Sequence, residues 1–248
     1  MRDIDSILRF RSDLSPFLVH LTKDESGGRS AKENLTKILT EKQLLCSDQL
    51  ISDARFGMLT SSLTEAEKQD LFSAICFTET PLNEVHSLLE ISYRGVDLKP
   101  YGLAFLKERL ADRGVSPVLY INNIRGNSDA LFQAMCTLCE TRRNEAKRLL
   151  PLMAVFGKKI QPPAASNPQS GDVNFIWERE WRQPKSEGQL GFEANDVFIG
   201  FCPHEEIDHF DDMNLGFKFI DPTRNAKWYA EKLINARQRL KLKYSVVP

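Results

Sequence analysis

The chain has 248 residues, of which 42% are hydrophobic and 27% are charged, and its formal net charge is −1. A charge this close to zero excludes a molecule-wide field that would attract nucleic acid or an anionic membrane, so any such partner has to bind a local patch. The longest apolar run, near residues 149–156, is too short to cross a bilayer, and the amino terminus has no secretory pattern. Without such segments we expect a cytoplasmic protein with no membrane partner, and because the five cysteines are scattered we expect reduced thiols.

The first predicted elements are a strand and a capped helix. Residues 17–22 form an apolar run of strand length that ends beside a polar turn. Ser30 and Glu33 stand three residues apart in front of an apolar stripe at helical spacing, which is the pattern of a capping box. This pattern predicts a helix that ends at about Cys46.

A second capping pattern, formed by Thr64 and Glu67, predicts another helix that leads into an apolar strand at 74–77. Pro81 marks the exit of that strand, because proline is not tolerated in a central strand. The later predicted elements are a strand at 102–105 followed by a helix, a strand at 117–121, a long helix at 128–150, strands at 173–182, 196–201 and 217–220, and a helix at 221–244. Residues 157–172 are rich in proline and serine, which predicts a flexible loop.

The predicted terminal helix at 221–244 is basic, with seven lysine or arginine residues against Asp221 and Glu231. The basic residues alternate with apolar positions, which suits a surface that grips RNA phosphates or an acidic antitoxin. An amphipathic helix with a solvated basic face has the same pattern.

The strongest chemical signal is the run Trp-Glu-Arg-Glu-Trp-Arg at 177–182. Strand alternation predicts that Glu178, Glu180 and Arg182 share one face, opposite the two tryptophans. Two carboxylates on one face suit a site that stabilises positive charge, such as the ribose oxocarbenium ion formed when nicotinamide leaves NAD. The same residues equally fit a half-exposed strand whose charges pair with neighbouring strands.

Two further segments are candidates for a ligand site. His20 and Thr22 lie at the end of the first strand, where an imidazole can donate a hydrogen bond to a ribose hydroxyl. Residues 77–81, Phe-Thr-Glu-Thr-Pro, form a hydroxyl cluster at a strand exit, in which Phe77 is a candidate to stack on nicotinamide. Both segments also have a structural explanation, because His-x-Thr is a common triplet and a proline after hydroxyl residues is typical of turns.

Five segments occur in an order that resembles a known family. They are residues 17–22, 75–82, 101–105, 117–120 and 177–182. Together they look like the AbiGi-type abortive-infection family, and the pattern is also similar to toxins of the CmdTAC phage-defence type, which ADP-ribosylate messenger RNA. The resemblance implies an α+β fold in which an ADP-ribosyltransferase-like split β-sheet core is surrounded by helices, as a single domain over residues 1–248.

The resemblance also implies a function: a phage-defence toxin that is an NAD-dependent mono-ADP-ribosyltransferase, with NAD as the donor and RNA as the acceptor. Its implied partners are a cognate antitoxin and a chaperone. Glu180 is then the catalytic carboxylate, Glu178 the first acid of an E-x-E pair, and His20 a residue of both the catalytic and the ribose-binding set. The other implied NAD-binding residues are Leu21, Thr22, Arg55, Phe77, Thr78 and Tyr101.

Two other functions fit the sequence. One is a non-enzymatic antitoxin or partner-binding subunit of an abortive-infection system, and the other is an NAD-independent ribonuclease with His20 and Glu180 as acid and base. The chain has neither Gly-x-Gly-x-x-Gly nor a P-loop, so a dinucleotide is not expected to bind in the Rossmann manner. Cys136 and Cys139 have no second close cysteine pair, so no metal site is expected.

Overall fold

A computed structural model describes residues 14–25, 28–44, 46, 64–90, 97–122, 127–156, 176 and 179–243. The fold is mixed α/β, and its largest sheet has seven strands that are mostly antiparallel. This agrees with the α+β class expected from the sequence. Across the described ranges, no helix combines the length and the apolar character that a membrane crossing requires. The cytoplasmic localisation stays a prediction.

The described strands and helices are as follows. The strands are β1 (Phe17–Lys23), β2 (Gln43–Leu44), β3 (Ala74–Thr78), β4 (Leu98–Leu106), β5 (Ser116–Pro117), β6 (Leu119–Asn122), β7 (Met153–Phe156), β8 (Glu180–Pro184), β9 (Leu190–Gly191), β10 (Val197–Phe201) and β11 (Phe219–Ile220). The α-helices are α1 (Ala31–Glu41), α2 (Glu65–Phe72), α3 (Val85–Glu90), α4 (Lys107–Ala111), α5 (Asn127–Thr141), α6 (Arg143–Leu149), α7 (Ile207–Asp211) and α8 (Ala230–Arg239).

The chain forms two compact units. The first contains residues 1–43, 77–113 and 191–248, and the second contains residues 44–76 and 114–190. The single domain that the sequence led us to expect over residues 1–248 stays a prediction. The predicted loop at 157–172 lies outside the described residues.

Strand β1 is the fourth of the seven strands of the largest sheet. It pairs antiparallel with β4, with His20 opposite Leu103, and antiparallel with the end of β3, with Val19 opposite Thr78. Strand β10 pairs antiparallel with β4, and β11 pairs parallel with β10. These pairings give His20 a strand on each side, so its main chain is held by the sheet.

Large aromatic side chains are a substantial part of the core of the first unit. The rings of Phe17 and Phe198 stack with centroids 4.3 Å apart, and Phe105 packs edge-on against Phe77 at 6.0 Å. Complete burial of one such side chain contributes about 1.5–3 kcal/mol. These contacts fix the position of β1 against its neighbours.

Helix α1 begins as its sequence predicts. The Oγ of Ser30 accepts a hydrogen bond from the N–H of Glu33 at 3.3 Å, and the carboxylate of Glu33 accepts one from the N–H of Ser30 at 2.7 Å. The helix ends at Glu41 rather than at about Cys46, because Lys42 adopts a left-handed conformation with φ of 50°. The predicted start is confirmed and the predicted end is wrong.

The second unit contains the other predicted capping box and two strand pairs. Thr64 and Glu67 exchange the expected hydrogen bonds at the start of α2. Helices α2, α5 and α6 bury a cluster that includes Leu71, Met135 and Ala146. Strands β6 and β7 are parallel, and β5 and β8 are antiparallel with Ser116 opposite Arg182.

Several predicted boundaries are corrected. The long helix expected at 128–150 is two helices, because Arg142 leaves the helical region with φ of −141° and ψ of 62°. The helix expected at 221–244 is shorter: Ala226–Tyr229 forms a 3-10 turn and α8 covers Ala230–Arg239. The carboxylate of Asp221 caps a local turn by accepting from the N–H of Thr223 at 2.8 Å, so the helix starts later. In the predicted strand at 173–182, the described strand begins at Glu180.

Candidate functional site

The half-buried imidazole of His20, on strand β1 of the first unit, lies beside an aromatic ring. Its ring centroid is 5.6 Å from that of Phe77, at an interplanar angle of 55°. The register of β1 and β3, with Val19 opposite Thr78, brings these two side chains together. Phe77 is only 2% exposed, so it supports the imidazole from inside the core. Leu21 is buried, and strand alternation directs it to the opposite face of β1.

Thr22 uses its hydroxyl to hold local structure. Its Oγ1 lies 2.8 Å from the carbonyl oxygen of Ala31 and 3.1 Å from that of Tyr101. Because a hydroxyl has one proton and both partners are acceptors, that proton is committed to the main chain. A nucleotide would therefore meet Thr22 as an acceptor or through packing.

Tyr101 is anchored at both ends of its side chain. Its hydroxyl donates to Oε1 of Glu206 at 3.0 Å, and its ring packs edge-on against Phe210. The Nζ of Lys32 lies 3.0 Å from Oε2 of the same glutamate. Burial, with the nearby charge of Glu206, raises the pKa of the Tyr101 phenol, so it stays neutral.

The hydroxyl cluster after β3 is buried and internally bonded. The Oγ1 atoms of Thr78 and Thr80 lie 2.8 Å apart, which is hydrogen-bonding distance. Between them in sequence, the buried carboxylate of Glu79 accepts from Nζ of Lys107 at 2.9 Å. This ion pair ties the strand exit to the start of α4. The turn chemistry expected for 77–81 is thus present as a structural element.

Glu180 in the second unit is held by an arginine of its own strand. Nε of Arg182 donates to Oε1 at 2.8 Å and Nη2 donates to Oε2 at 2.7 Å. Nη1 of Arg182 donates to the carbonyl oxygen of Pro151 at 2.7 Å. The carboxylate side chain is 17% exposed and the guanidinium side chain 6%. Strand alternation predicts that Glu180 and Arg182 share one face of the strand. The structure shows that, on this face, Arg182 neutralises the mostly buried charge of Glu180.

The charges of this pair shift pKa values at the site. Burial opposes the positive charge of Arg182, but the Glu180 carboxylate outweighs that effect and raises the pKa of the guanidinium. Burial, assisted by the negative charge of Glu180, also raises the pKa of the Cys76 thiol. The N–H of Glu180 donates to the hydroxyl oxygen of Tyr120 at 3.1 Å. Glu180 is therefore a fixed carboxylate beside an unreactive, protonated thiol.

The predicted site residues divide between the two units. His20, Leu21, Thr22, Phe77, Thr78 and Tyr101 belong to the first unit, and Glu180 belongs to the second. Glu178 and Arg55 lie outside the described residues. In the described part of the chain, no three or more His, Cys, Asp or Glu side chains are grouped as metal ligands would be.

Sequence reasoning missed three features of these surroundings. They are the partners Glu206 for Tyr101, Lys107 for Glu79 and Pro151 for Arg182. Each partner is 28 or more residues away along the chain, so no local pattern signals it.

Comparisons with known protein families, with curated proteins and with solved structures find no match for this chain. The fold alone defines its class, a mixed α/β protein with a mostly antiparallel sheet.

Proposed function

We propose that this chain is an NAD-dependent mono-ADP-ribosyltransferase of the abortive-infection type, with an ADP-ribosyltransferase-like split sheet and RNA as the acceptor. The observation that supports it most is the setting of His20, an imidazole on a central strand with an aromatic ring 5.6 Å away. An imidazole N–H suits a ribose hydroxyl as a donor, and the sheet and Phe77 limit its movement. Tyr101 remains the proposed neighbour of nicotinamide, and Phe77, which is buried, supports His20 from inside the core.

Glu180 has the catalytic role in this proposal. As nicotinamide leaves, the ribose carbon gains positive charge, and a carboxylate held in place stabilises that charge without reorganising. The two hydrogen bonds from Arg182 hold the carboxylate in place. Arg182 occupies one acceptor position of each oxygen and the Cys76 thiol is hydrogen-bonded to the same carboxylate, so of about four positions one is left for a ribose hydroxyl. Glu178 is proposed as the companion acid and Arg55 as a phosphate contact.

Transfer of labelled ADP-ribose from NAD to separate pools of RNA, DNA and protein tests the proposal. We expect RNA labelling by the wild-type chain and a loss of about 100-fold or more in Glu180→Gln, the usual effect of removing a transition-state stabiliser. Asp196→Asn is the matched control, because it also removes a buried carboxylate charge from a cation, Arg113, and lies outside the candidate ligand segments. Undiminished labelling by a folded Glu180→Gln variant would rule out the assigned role.

Two further outcomes separate the alternative functions. Expression of the chain alone is expected to arrest the host, and His20→Ala is expected to abolish the arrest while the protein stays folded. Harmless expression of the wild-type chain would favour an antitoxin or partner-binding subunit. RNA cleavage in the absence of NAD would favour a ribonuclease with the same two residues.

A further inference from the structure

The turn before α8 presents an unusual exposed tryptophan. Trp228 is 73% exposed, although Ala226 and Tyr229 in the same turn are buried. Asn225 caps the turn by accepting from the N–H of Lys227 at 2.9 Å. The indole is therefore carried by an anchored turn and directed towards solvent, where a partner can reach it.

The surroundings of this ring are cationic. The guanidinium carbon of Arg224 lies 5.5 Å from the centroid of the Trp228 ring, within the range of a cation–π contact. Arg224 also lies 3.5 Å from Asp221, which limits its movement. Lys227, the preceding residue, is exposed. An aromatic face bordered by cations is the arrangement on which an unpaired base stacks while its phosphates meet positive charge.

Helix α8 also lines a groove of about 330 Å³ with an excess of positive charge. Its charged lining residues are Lys218, Lys232 and Arg239 against a single carboxylate, Asp211. Oδ2 of Asp211 lies 2.8 Å from Nζ of Lys232 and 3.6 Å from Nζ of Lys218. One carboxylate is thus shared by two lysines, which leaves the groove positively charged.

Arg239 adds a cation that no carboxylate neutralises among the residues the structure describes. Its guanidinium donates to the carbonyl oxygens of Ala194, Val197 and Phe198 at 2.8, 2.7 and 3.2 Å. Its burial lowers the pKa of the guanidinium, since neutral carbonyls replace only part of the lost hydration. A phosphate in the groove would provide the missing negative charge.

Trp228 and the groove, which together we call the track, are close in the chain: the turn that carries Trp228 leads into α8, and α8 lines the groove. Lys232, Asn235 and Arg239 line the groove, and Trp228 precedes Lys232 by four residues. Trp228 belongs to the 3-10 turn at Ala226–Tyr229, which leads directly into α8, and the 10 residues of α8 extend over about 15 Å at helical rise.

We infer that this track, Trp228 with the groove of Lys218, Lys232 and Arg239, binds single-stranded RNA. A base stacks on Trp228, and the adjoining phosphates lie in the groove. The inference rests on the proposed function, for which it supplies the acceptor-docking surface. An acidic protein surface would satisfy the cations but would leave the indole without a stacked partner, so RNA accounts for both features.

Anisotropy of a labelled 12-nucleotide oligo(U), titrated with the full chain in the absence of NAD, tests the inference. We expect Trp228→Ala to raise Kd about tenfold, the effect of losing one stacked base, and Trp228→Phe to retain most of the affinity. Leu119→Ala is the matched control, because Leu119 is 52% exposed but belongs to the second unit. Stacking should also quench the fluorescence of wild-type Trp228.

Charge reversal in the groove gives the second readout. Lys218→Glu is expected to weaken binding and to reduce the slope of log Kd against log salt by about one, as for one lost phosphate contact. Lys37→Glu on α1 makes the same change of charge and is expected to have little effect. Equal affinity for Lys218→Glu and Lys37→Glu, or for Trp228→Ala and wild type, would overturn the inference.

Two outcomes distinguish this inference from the proposed function and from a protein partner. RNA binding that depends on Trp228 in a chain that never transfers ADP-ribose would overturn the function and support the inference. Tight binding of polyglutamate but not of oligo(U) would overturn the inference in favour of an acidic protein.

Discussion

Arg182 grips both carboxylate oxygens of Glu180 through Nε at 2.8 Å and Nη2 at 2.7 Å, two residues along the same strand. The guanidinium in turn donates to the carbonyl oxygen of Pro151. Arg182 is therefore a positioning residue for the carboxylate that we propose stabilises the transition state. The hydrogen bonds of Arg182 that hold the Glu180 carboxylate are therefore also expected to stabilise the strand.

Replacing Arg182 with methionine is expected to lower the free energy of unfolding by about 3–5 kcal/mol, the usual cost of removing one partner of a buried ion pair. The variant leaves the Glu180 carboxylate and the Pro151 carbonyl without their donors. Urea unfolding measures the change. Arg148→Met is the control, because its ion pair with Glu187 is exposed and such pairs contribute about 0–1 kcal/mol. Equal losses of unfolding free energy in the two variants would contradict the prediction that the buried pair contributes more than the exposed pair.

Gly102→Ala is expected to disrupt the pairing of β1 and β4 next to His20. A Cβ at this position would lie 2.2 Å from the carbonyl oxygen of His20 and 2.9 Å from the Cα of Leu21, so the strands would have to separate. We expect weakened NAD binding together with reduced stability. Gly191→Ala is the control, because its Cβ would meet only the carbonyl oxygen of Lys42 at 3.9 Å. Thermal unfolding and NAD titration measure the two effects. Equal melting temperatures and equal NAD affinities for Gly102→Ala and Gly191→Ala would contradict the claim that β1 and β4 approach too closely for a Cβ at Gly102.

Ser30→Ala is expected to lower the free energy of unfolding by about 1 kcal/mol, because it removes the hydrogen-bond acceptor for the first turn of α1. The Oγ of Ser30 accepts from the N–H of Glu33 at 3.3 Å in the folded chain. Thr40→Ala in the same helix is the comparison: its exposed hydroxyl donates only to the carbonyl of Thr36, so we expect little change. Urea unfolding of both variants checks the difference. Loss of stability in Thr40→Ala alone would contradict the capping argument.

Cys202 is expected to make stability fall in alkaline solution. Burial, with the negative charges of Glu206 and Asp211, raises the pKa of its thiol from 9.0 to about 12. The contribution is fully present below pH 9 and is lost between pH 9 and about 12, because the unfolded chain releases a proton that the folded chain keeps. The fall from this group is about 1.4 kcal/mol per pH unit. The free energy of unfolding, measured from pH 8 to 11, should decline more steeply for wild type than for Cys202→Ala. Parallel declines would contradict the assigned role of this thiol.

Local patterns in the sequence predicted the local structure well. The capping boxes at Ser30 and Thr64 are present because their hydrogen bonds join residues three apart. The shared face of Glu180 and Arg182 follows from strand alternation, which also needs only neighbours. Helix ends were predicted less well, since Lys42 and Arg142 leave the helical conformation without a glycine or proline to signal it.

The amino-acid sequence by itself predicted a mixed α and β fold and the starts of α1 and α2, and it singled out His20 and Glu180 as candidates. Only the tertiary structure decided that His20 meets Phe77, that Arg182 reaches Pro151, and that the indole of Trp228 faces solvent. The reason is physical: hydrogen bonds within a turn of helix depend on adjacent residues, whereas burial and ion pairing depend on which distant strands and helices pack together.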